Sequence, residues 1–162
     1  MFQVSIEAEA IDPAALLAQF SLDPQRTGAV ATFTGYVRGE GISALALEHY
    51  PDMTERNILD TLHSAARRWP LQAASVLHRV GELGPGEPIV WVAVSSSHRA
   101  AAFNACEFIM DYLKISAPLW KRERDTAGVW RWVQPRLADR ERAQRWGAGA
   151  PGKMEAGQGA LL

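Results

Sequence analysis

The sequence predicts an α+β fold with a largely antiparallel sheet. Three observations support this: short β-forming segments recur along the chain, hairpin signals such as "GPGE" separate some of them, and two longer segments carry apolar residues at helical spacing. Strands and helices do not alternate regularly, as they do in parallel α/β folds. Apolar residues make up 48% of the 162 residues, enough for a core, and we expect one domain over residues 1–146.

The first part of the chain contains three predicted strands and two predicted helices. The strands are "FQVSIEA", "GAVATFTGYV" and "ALALEHY", which alternate or are rich in β-forming residues. Asp12 is a candidate N-cap and Pro13 a first helical residue, so a short helix is predicted in "DPAALLAQF". In "PDMTERNILDTLHSAARRWP" the apolar residues recur at helical spacing, and Pro70 ends the helix.

The second part begins with a predicted hairpin of "QAASVLHRVGEL" and "PIVWVAVSS" around "GPGE". A helix is predicted to begin near His98, with Ser96 or Ser97 as its cap, and to end before Pro118. Its predicted apolar stripe contains Phe103, Cys106, Ile109, Met110 and Leu113. Two short strands, "LWKRER" and "VWRWVQP", and a last helix, "ADRERAQRW", follow. Residues 147–162 form a Gly-rich tail that we expect to be flexible.

Charge is unevenly distributed, although the net charge is only -1. Residues 1–60 hold nine acidic and three basic residues, whereas residues 114–145 hold nine basic and four acidic ones. The last third can therefore present a positive field to a small anion, although any single arginine there can equally be a solvated surface residue. The net charge gives no reason to expect binding to nucleic acid or to an anionic membrane.

The single cysteine, Cys106, rules out a disulfide within this sequence and a cysteine-based zinc site. It suits a reducing compartment, and the start of the sequence lacks the features of a signal peptide, so we expect a cytoplasmic protein. The histidines His49, His63 and His78 show no metal-ligand spacing and are interpreted as packed or surface residues. Neither a metal nor another cofactor is expected.

Cationic side chains occur near both ends of the helix predicted after "SSSHR". Ser97-His98-Arg99 lies at its start, where free N–H groups favour an anion; the alternative, a capping His98 and a surface Arg99, is equally well supported. Lys114 near its end is in a position typical of a lysine that interacts with terminal carbonyls. Its apolar and aromatic surroundings and a second lysine, Lys121, instead favour a lowered pKa and a role as acid, base or nucleophile.

Two other residues have competing interpretations. Arg38 follows a β-rich segment and precedes a Gly-containing loop, so it either faces a ligand or is solvated. Cys106 lies on the predicted apolar stripe, which favours a buried small hydrophobe over a nucleophile.

Six motifs resemble, in order and spacing, those of the large catalytic subunit of molybdopterin synthase. They are "FTGYVR", "LEHYPDMTE", "HRVGEL", "SSHRAAAF", "FIMDYLK" and "APLWKRE", and the resemblance covers about residues 28–146. The resemblance implies an α/β-hammerhead fold with a small β subdomain. It also implies a homodimer that forms the core of a heterotetramer with two small ubiquitin-like subunits.

The resemblance further implies a sulfurtransferase of molybdenum cofactor biosynthesis. The small subunit would end in Gly-Gly with a C-terminal thiocarboxylate, and its sulfur would convert cyclic pyranopterin monophosphate into molybdopterin. The implied catalytic residues are Lys114 and Lys121, and Phe33 and Met110 would line the pocket. The implied substrate-binding residues are Arg38, His98, Arg99, Arg122, Glu123 and Arg136.

Helix geometry predicts that two chains share each site. Arg99 and Lys114 are fifteen residues apart, which is roughly 22 Å in a continuous helix and longer than a pyranopterin. The end of one chain's helix that carries His98 and Arg99 would therefore meet the Lys114 and Lys121 end of its neighbour in a two-fold dimer.

Two other function classes remain open at this point. A scaffold that docks a ubiquitin-like protein without catalysis would need the same groove but not both lysines. A regulator that binds a phosphorylated metabolite through Ser97-His98-Arg99 would need no protein partner. The presence of both lysines together with Arg38, His98 and Arg99 favours the enzyme.

Overall fold

The computed structural model describes residues 1–147, which form eight strands and four helices. In chain order these are β1 (Phe2–Glu7), α1 (Pro13–Gln19), β2 (Ala29–Tyr36), β3 (Ile42–His49), α2 (Met53–Arg68), β4 (Leu71–Arg79), β5 (Gly81–Leu83), β6 (Pro88–Ser96), α3 (Arg99–Ser116), β7 (Leu119–Asp125), β8 (Trp130–Val133) and α4 (Leu137–Gln144). The predicted Gly-rich tail lies, except for Gly147, outside the described residues. No helix within residues 1–147 is long and apolar enough to cross a membrane.

The strands form two sheets of four strands each. The first has the order β1-β4-β6-β2 and the second the order β5-β3-β7-β8. Every neighbouring pair is antiparallel except β1 and β4, which run parallel. The predicted α+β fold with a largely antiparallel sheet is confirmed, and the second sheet is the small β subdomain.

The segment predicted as one strand, "QAASVLHRVGEL", is divided between the two sheets. β4 pairs with β6 in the first sheet, and β5 pairs with β3 in the second. The change of direction occurs at Gly81, whose φ of 86° lies in the left-handed region that favours glycine. The predicted hairpin is therefore correct for β4 and β6, but β5 belongs to the other sheet.

Helices cover both faces of the first sheet. Val76 of β4 and Val92 of β6 are fully buried beneath α2 and α3, together with Ile58 and Ile109 from these helices. On the opposite face α1 packs over Trp91 of β6 and its neighbours. The second sheet has a smaller core of its own, formed by Val37, Leu45, Leu47 and Leu83.

The first two helices begin and end as the sequence predicts. Asp12 caps α1, since its Oδ1 accepts hydrogen bonds from the backbone nitrogens of Ala14 at 3.0 Å and Ala15 at 3.1 Å. α2 ends at Arg68, two residues before Pro70.

α3 begins near His98 as predicted, but its capping residue and its buried face differ from the prediction. His98 is the N-cap residue, with no capping bond from its side chain, whereas Ser96 Oγ donates to the carbonyl of Pro70 at 2.8 Å. Phe103 was predicted to lie on the apolar stripe but is 67% exposed, because α3 turns Ala102 and Ala105 towards the first sheet instead. Cys106, Ile109 and Leu113 are buried as predicted.

Candidate active site

A cavity of about 580 Å³ lies between the two sheets and the last turns of α3. Apolar side chains from both sheets form part of its wall, including Leu45, Leu47 and Val90. Charged side chains form the rest: Arg38, Glu40, Lys114, Lys121, Glu123, Arg136 and Asp139. Four cations thus surround a space large enough for a small molecule, and anionic ligands are the ones that such a cavity favours.

Lys114 lies in the last turn of α3, directly after the buried Leu113, and its side chain extends into the cavity. Loss of hydration among the cavity walls lowers its pKa below that of a free lysine. Asp139 raises this pKa, whereas the positive charges of Lys121, Arg136 and Arg38 lower it further. The ammonium group is therefore less favoured than in water, which suits a lysine that exchanges protons or stabilises developing negative charge.

The candidate site residues of "WKRE" lie on both faces of β7, because successive side chains of a strand point to opposite faces. Lys121 and Glu123 face the cavity, and Lys121 Nζ lies 3.1 Å from Glu123 Oε1. Arg122 lies on the opposite face, where its guanidinium packs 5.2 Å from the ring centre of Trp130 and 5.4 Å from that of Trp132. Within this chain Arg122 contributes to the outer surface of the second sheet and not to the cavity.

Arg38 is held at the cavity by a backbone contact of its neighbour. Val37 donates to the carbonyl of Glu87 at 3.0 Å and accepts from the N–H of Gly86 at 2.8 Å. These bonds fix the chain immediately before Arg38 against the turn that precedes β6. Val37 itself is buried in the core of the second sheet, so the position of Arg38 depends on the folding of that sheet.

Arg136 and Asp139 reach the cavity because α4 is fixed to α3 by Asp111. The carboxylate of Asp111 is buried and accepts hydrogen bonds from three side chains of α4 and its end. The donors are Arg142 Nε at 3.2 Å, Arg145 Nη2 at 3.0 Å and Trp146 Nε1 at 2.8 Å. Asp111 is three residues before Lys114, so the same helix supports the lysine and positions the residues opposite it.

Besides Arg122, three of the predicted residues do not reach this cavity. His98 and Arg99 are exposed at the N-terminal end of α3, and the continuous helix of 18 residues separates them from Lys114. Phe33 in β2 is 40% exposed and lies outside the cavity lining, whereas Met110 lines the cavity as expected. The described chain therefore brings together Arg38, Lys114, Lys121, Glu123 and Arg136 but leaves His98 and Arg99 at a distance.

Two cavity residues were not recognised from the sequence. The sequence predicts Asp139 only as part of the last helix, although it follows Arg136 by three residues and so shares its side of α4. The sequence predicts His78 only as a packed or surface histidine. Alternation along "AASVLH" places it on the same face as Ala74 and Val76, and that pattern alone signals a polar residue among buried apolar ones. Within residues 1–147 no three His, Cys, Asp or Glu side chains are grouped in a way that could hold a metal ion.

Residues 6–116 match the family described as MoaE protein. The chain is 53% identical over 123 residues to the molybdopterin synthase catalytic subunit of Escherichia coli (strain K12), a match that covers 74% of this chain and 81% of the relative. It is 47% identical over 147 residues to the protein of the same name from Pseudomonas aeruginosa, covering 88% of this chain and 97% of the relative.

Solved structures with the same fold support this similarity. The molybdopterin biosynthesis MoaE protein from Burkholderia ambifaria MC40-6 superposes with a TM-score of 0.78 at 43% identity, covering 91% of this chain and 99% of the other. A molybdopterin synthase structure from Staphylococcus aureus gives a TM-score of 0.73 at 31% identity, covering 80% of this chain and 96% of the other. The hammerhead-like α+β architecture is thus shared with proteins of known structure.

Proposed function

The chain belongs to the MoaE protein family, and from this membership we propose that it is the catalytic subunit of a molybdopterin synthase. In this reaction a small ubiquitin-like subunit carries sulfur as a C-terminal thiocarboxylate. Two sulfur atoms pass in turn to cyclic pyranopterin monophosphate, which becomes molybdopterin. The observation that carries the proposal is the cavity in which two lysines and two arginines face one another.

Each cation has a role that follows from its position. Arg38 and Arg136 stand at the ends of loops, one before β3 and the other before α4, and their guanidinium groups bind anionic groups of the ligands. Lys114 and Lys121 line the cavity together with its apolar side chains, and there they polarise the carbonyl of the thiocarboxylate and stabilise negative charge as sulfur leaves. Glu123 keeps Lys121 oriented through their ion pair.

The buried thiol supports a carrier sulfur that arrives on a partner. Cys106 is the only cysteine of the sequence, and it is packed in the core formed by α2, α3 and the first sheet. Burial raises the pKa of its thiol to about 11, so very little nucleophilic thiolate is present at neutral pH. The small subunit's thiocarboxylate can supply the sulfur that this chain does not carry in reactive form.

The direct test combines the purified chain with thiocarboxylated small subunit and cyclic pyranopterin monophosphate, and measures molybdopterin. Product should form, and it should not form when the small subunit ends in an ordinary carboxylate. Lys114→Ala in the same assay should lose on the order of 100- to 1000-fold in rate. A wild-type chain that binds both reactants but yields no molybdopterin would contradict the proposal.

The separation of His98 and Arg99 from the cavity supports a site shared by two copies of the chain. An 18-residue helix cannot bring both of its ends to one small substrate. In a two-fold dimer, His98 and Arg99 of one copy would add an anion-binding group to the cavity of the other.

Subunit mixing tests the shared site. The Arg99→Ala and Lys114→Ala variants, each expected to be inactive alone, are mixed so that hybrid dimers form. In a hybrid dimer, one of the two sites contains both an intact Arg99 and an intact Lys114. Activity should return in the mixture. If hybrid dimers form and remain inactive while both variants are folded, all the site residues act within one chain.

A further inference from the structure

His78 is a polar residue in an apolar part of the cavity wall. It lies in β4 opposite Val90 of β6, and paired residues of neighbouring strands share a face of the sheet. The same face carries Val76, which is fully buried, and both His78 and Val90 line the cavity. Polar groups in such surroundings are unfavourable unless they are hydrogen-bonded, so each nitrogen of the ring calls for a partner.

One nitrogen of the ring is already bonded. His78 Nδ1 lies 2.8 Å from the backbone carbonyl oxygen of Arg79, and a carbonyl can only accept. Nδ1 therefore carries a proton and donates it. In the neutral ring this leaves Nε2 without a proton, as a hydrogen-bond acceptor.

The other nitrogen is open to the cavity. Within residues 1–147, Nε2 has no hydrogen-bond partner, and it is not among the polar atoms that are sealed in the interior without one. The ring is also kept neutral. Burial lowers the pKa of His78 to about 4, and the nearby charges of Lys114 and His49 lower it as well, against the bond to Arg79, which raises it.

We propose that His78 is a specificity residue whose Nε2 accepts a hydrogen bond from an N–H group of the molecule that fills the cavity. The proposal rests on the proposed function, which offers two sources of such a group. One is the heterocycle of the pterin substrate, and the other is the peptide backbone of the small subunit's Gly-Gly tail. Lys114 and Lys121 of the cavity can only donate, and Glu123 already accepts from Lys121, whereas Nε2 of the neutral His78 ring is an uncharged acceptor.

Two substitutions separate the two nitrogens of the ring. The amide of Asn occupies the position of Nδ1, so His78→Asn keeps the bond to the carbonyl of Arg79 and removes the acceptor in the cavity. The amide of Gln reaches the position of Nε2, so His78→Gln presents an oxygen to the cavity and gives up the bond to Arg79. His63→Asn is the matched control, since His63 is exposed on α2 and packs edge-on against Phe2.

The experiment measures KM for the pterin, the Kd of the thiocarboxylated small subunit and kcat for all three variants. His78→Asn should raise KM or Kd by roughly tenfold, because a donor of the ligand is left unpaired. His78→Gln should recover most of this loss, and His63→Asn should show none. The constant that moves identifies the source: KM points to the pterin and Kd to the tail.

Two results would overturn the proposal. In one, His78→Asn leaves both constants at their wild-type values. In the other, His78→Asn and His78→Gln are impaired to the same extent, which would assign His78 to support of the strand alone. An inactive wild-type enzyme with the same ligands would instead contradict the proposed function.

A measurement on the unsubstituted protein decides the matter if either variant fails to fold. Histidine labelled with ¹⁵N distinguishes a protonated ring nitrogen from an unprotonated one by its chemical shift. At neutral pH, Nε2 of His78 should be unprotonated, and its resonance should move when pterin or small subunit is added, as expected for a nitrogen that begins to accept a hydrogen bond. A protonated Nε2, or a resonance unaffected by both ligands, would refute the proposal.

Discussion

Lys121 and Arg122 are adjacent in β7, yet their side chains lie on opposite faces of the second sheet. Lys121 lines the cavity and is paired with Glu123, whereas Arg122 packs on tryptophan rings outside it and lies 3.5 Å from Glu48 Oε1. Strand alternation alone separates two cations that are indistinguishable by charge. Substitutions of the two residues are therefore expected to have different effects.

Substitution of Lys121 should impair catalysis, and substitution of Arg122 should impair stability. Lys121→Ala is expected to lower kcat by about 100-fold or more, because it removes one charge-stabilising group. Arg122→Ala should lower the free energy of unfolding by about 1 kcal/mol through loss of its stacking contacts. Turnover and urea unfolding of both variants check this. Should Arg122→Ala be the variant with far lower turnover in a folded protein, the assignment of Lys121 is wrong.

Asp139 should control the alkaline pH dependence of the enzyme. It favours the ammonium form of Lys114, against burial and the neighbouring cations, which lower the pKa of Lys114. Asp139→Asn should therefore lower this pKa further and move the alkaline limb of kcat against pH to lower pH. Glu141→Gln, on an exposed position of the same helix, should leave the limb in place. An unchanged limb in Asp139→Asn would show that Lys114 does not set the profile.

Lys114 should also make stability depend on pH. Its pKa is lower in the folded chain than the ordinary lysine value of the unfolded chain, so the unfolded chain binds more protons between the two values. The free energy of unfolding should therefore rise with pH across this alkaline window. Lys114→Met should remove that rise, which urea unfolding at a series of pH values measures. An identical pH dependence in both proteins would mean that Lys114 is hydrated as in the unfolded chain.

Cys106 should be dispensable for sulfur transfer. It is 6% exposed among core residues of α3 and the first sheet, and its thiol has a raised pKa of about 11. Cys106→Ala should keep most of the turnover and lose about 1 kcal/mol of unfolding free energy, as expected when one small buried group is removed. A folded Cys106→Ala protein that transfers no sulfur would indicate that Cys106 itself carries sulfur during the reaction.

Asp111 should act on the site through α4. Asp111→Asn replaces an acceptor of three hydrogen bonds with a group that also donates, which should cost about 1–3 kcal/mol of unfolding free energy. α4 should then lose amide exchange protection, and KM for the anionic substrate should rise because Arg136 moves with the helix. Arg140→Ala, on an exposed position of α4, is the control. If α4 loses amide exchange protection while KM stays normal, then the position of α4 does not affect substrate binding.

Local patterns predicted the fold well because its elements are strongly marked. Asp12 and Pro13 fix the start of α1, Pro70 and Pro118 follow the ends of α2 and α3, and β7 pairs with β8 without a register shift. The division of β4 from β5 was missed because a glycine inside a β-forming segment does not reveal which sheet each half will join.

From the sequence, site residues could be predicted only where a charged residue lies within a recognisable motif. The sequence marks Lys114 and Lys121 as cations in apolar surroundings, and the cavity contains both. It does not mark Asp139 or His78, because their roles depend on tertiary neighbours. Asp139 acts on Lys114 through packing that Asp111 maintains, and His78 lines the cavity together with residues of β3 and β7 that are distant in sequence.

The walls of the cavity come from segments that are far apart in the chain, from Tyr36 to Asp139, so the cavity can form only late in translation. Residues 2–96 contain every strand of the first sheet, and α3 follows directly, so this part can assemble early in translation. β3 can pair with β5 early, but the second sheet is completed only when β7 and β8 follow, and Lys114 meets both Lys121 and Asp139 only after α4 has emerged. A nascent chain in which β7 has not yet been synthesised thus contains Lys114 but not the complete cavity around it. The subunit cannot engage its charged ligands until α4 has been synthesised.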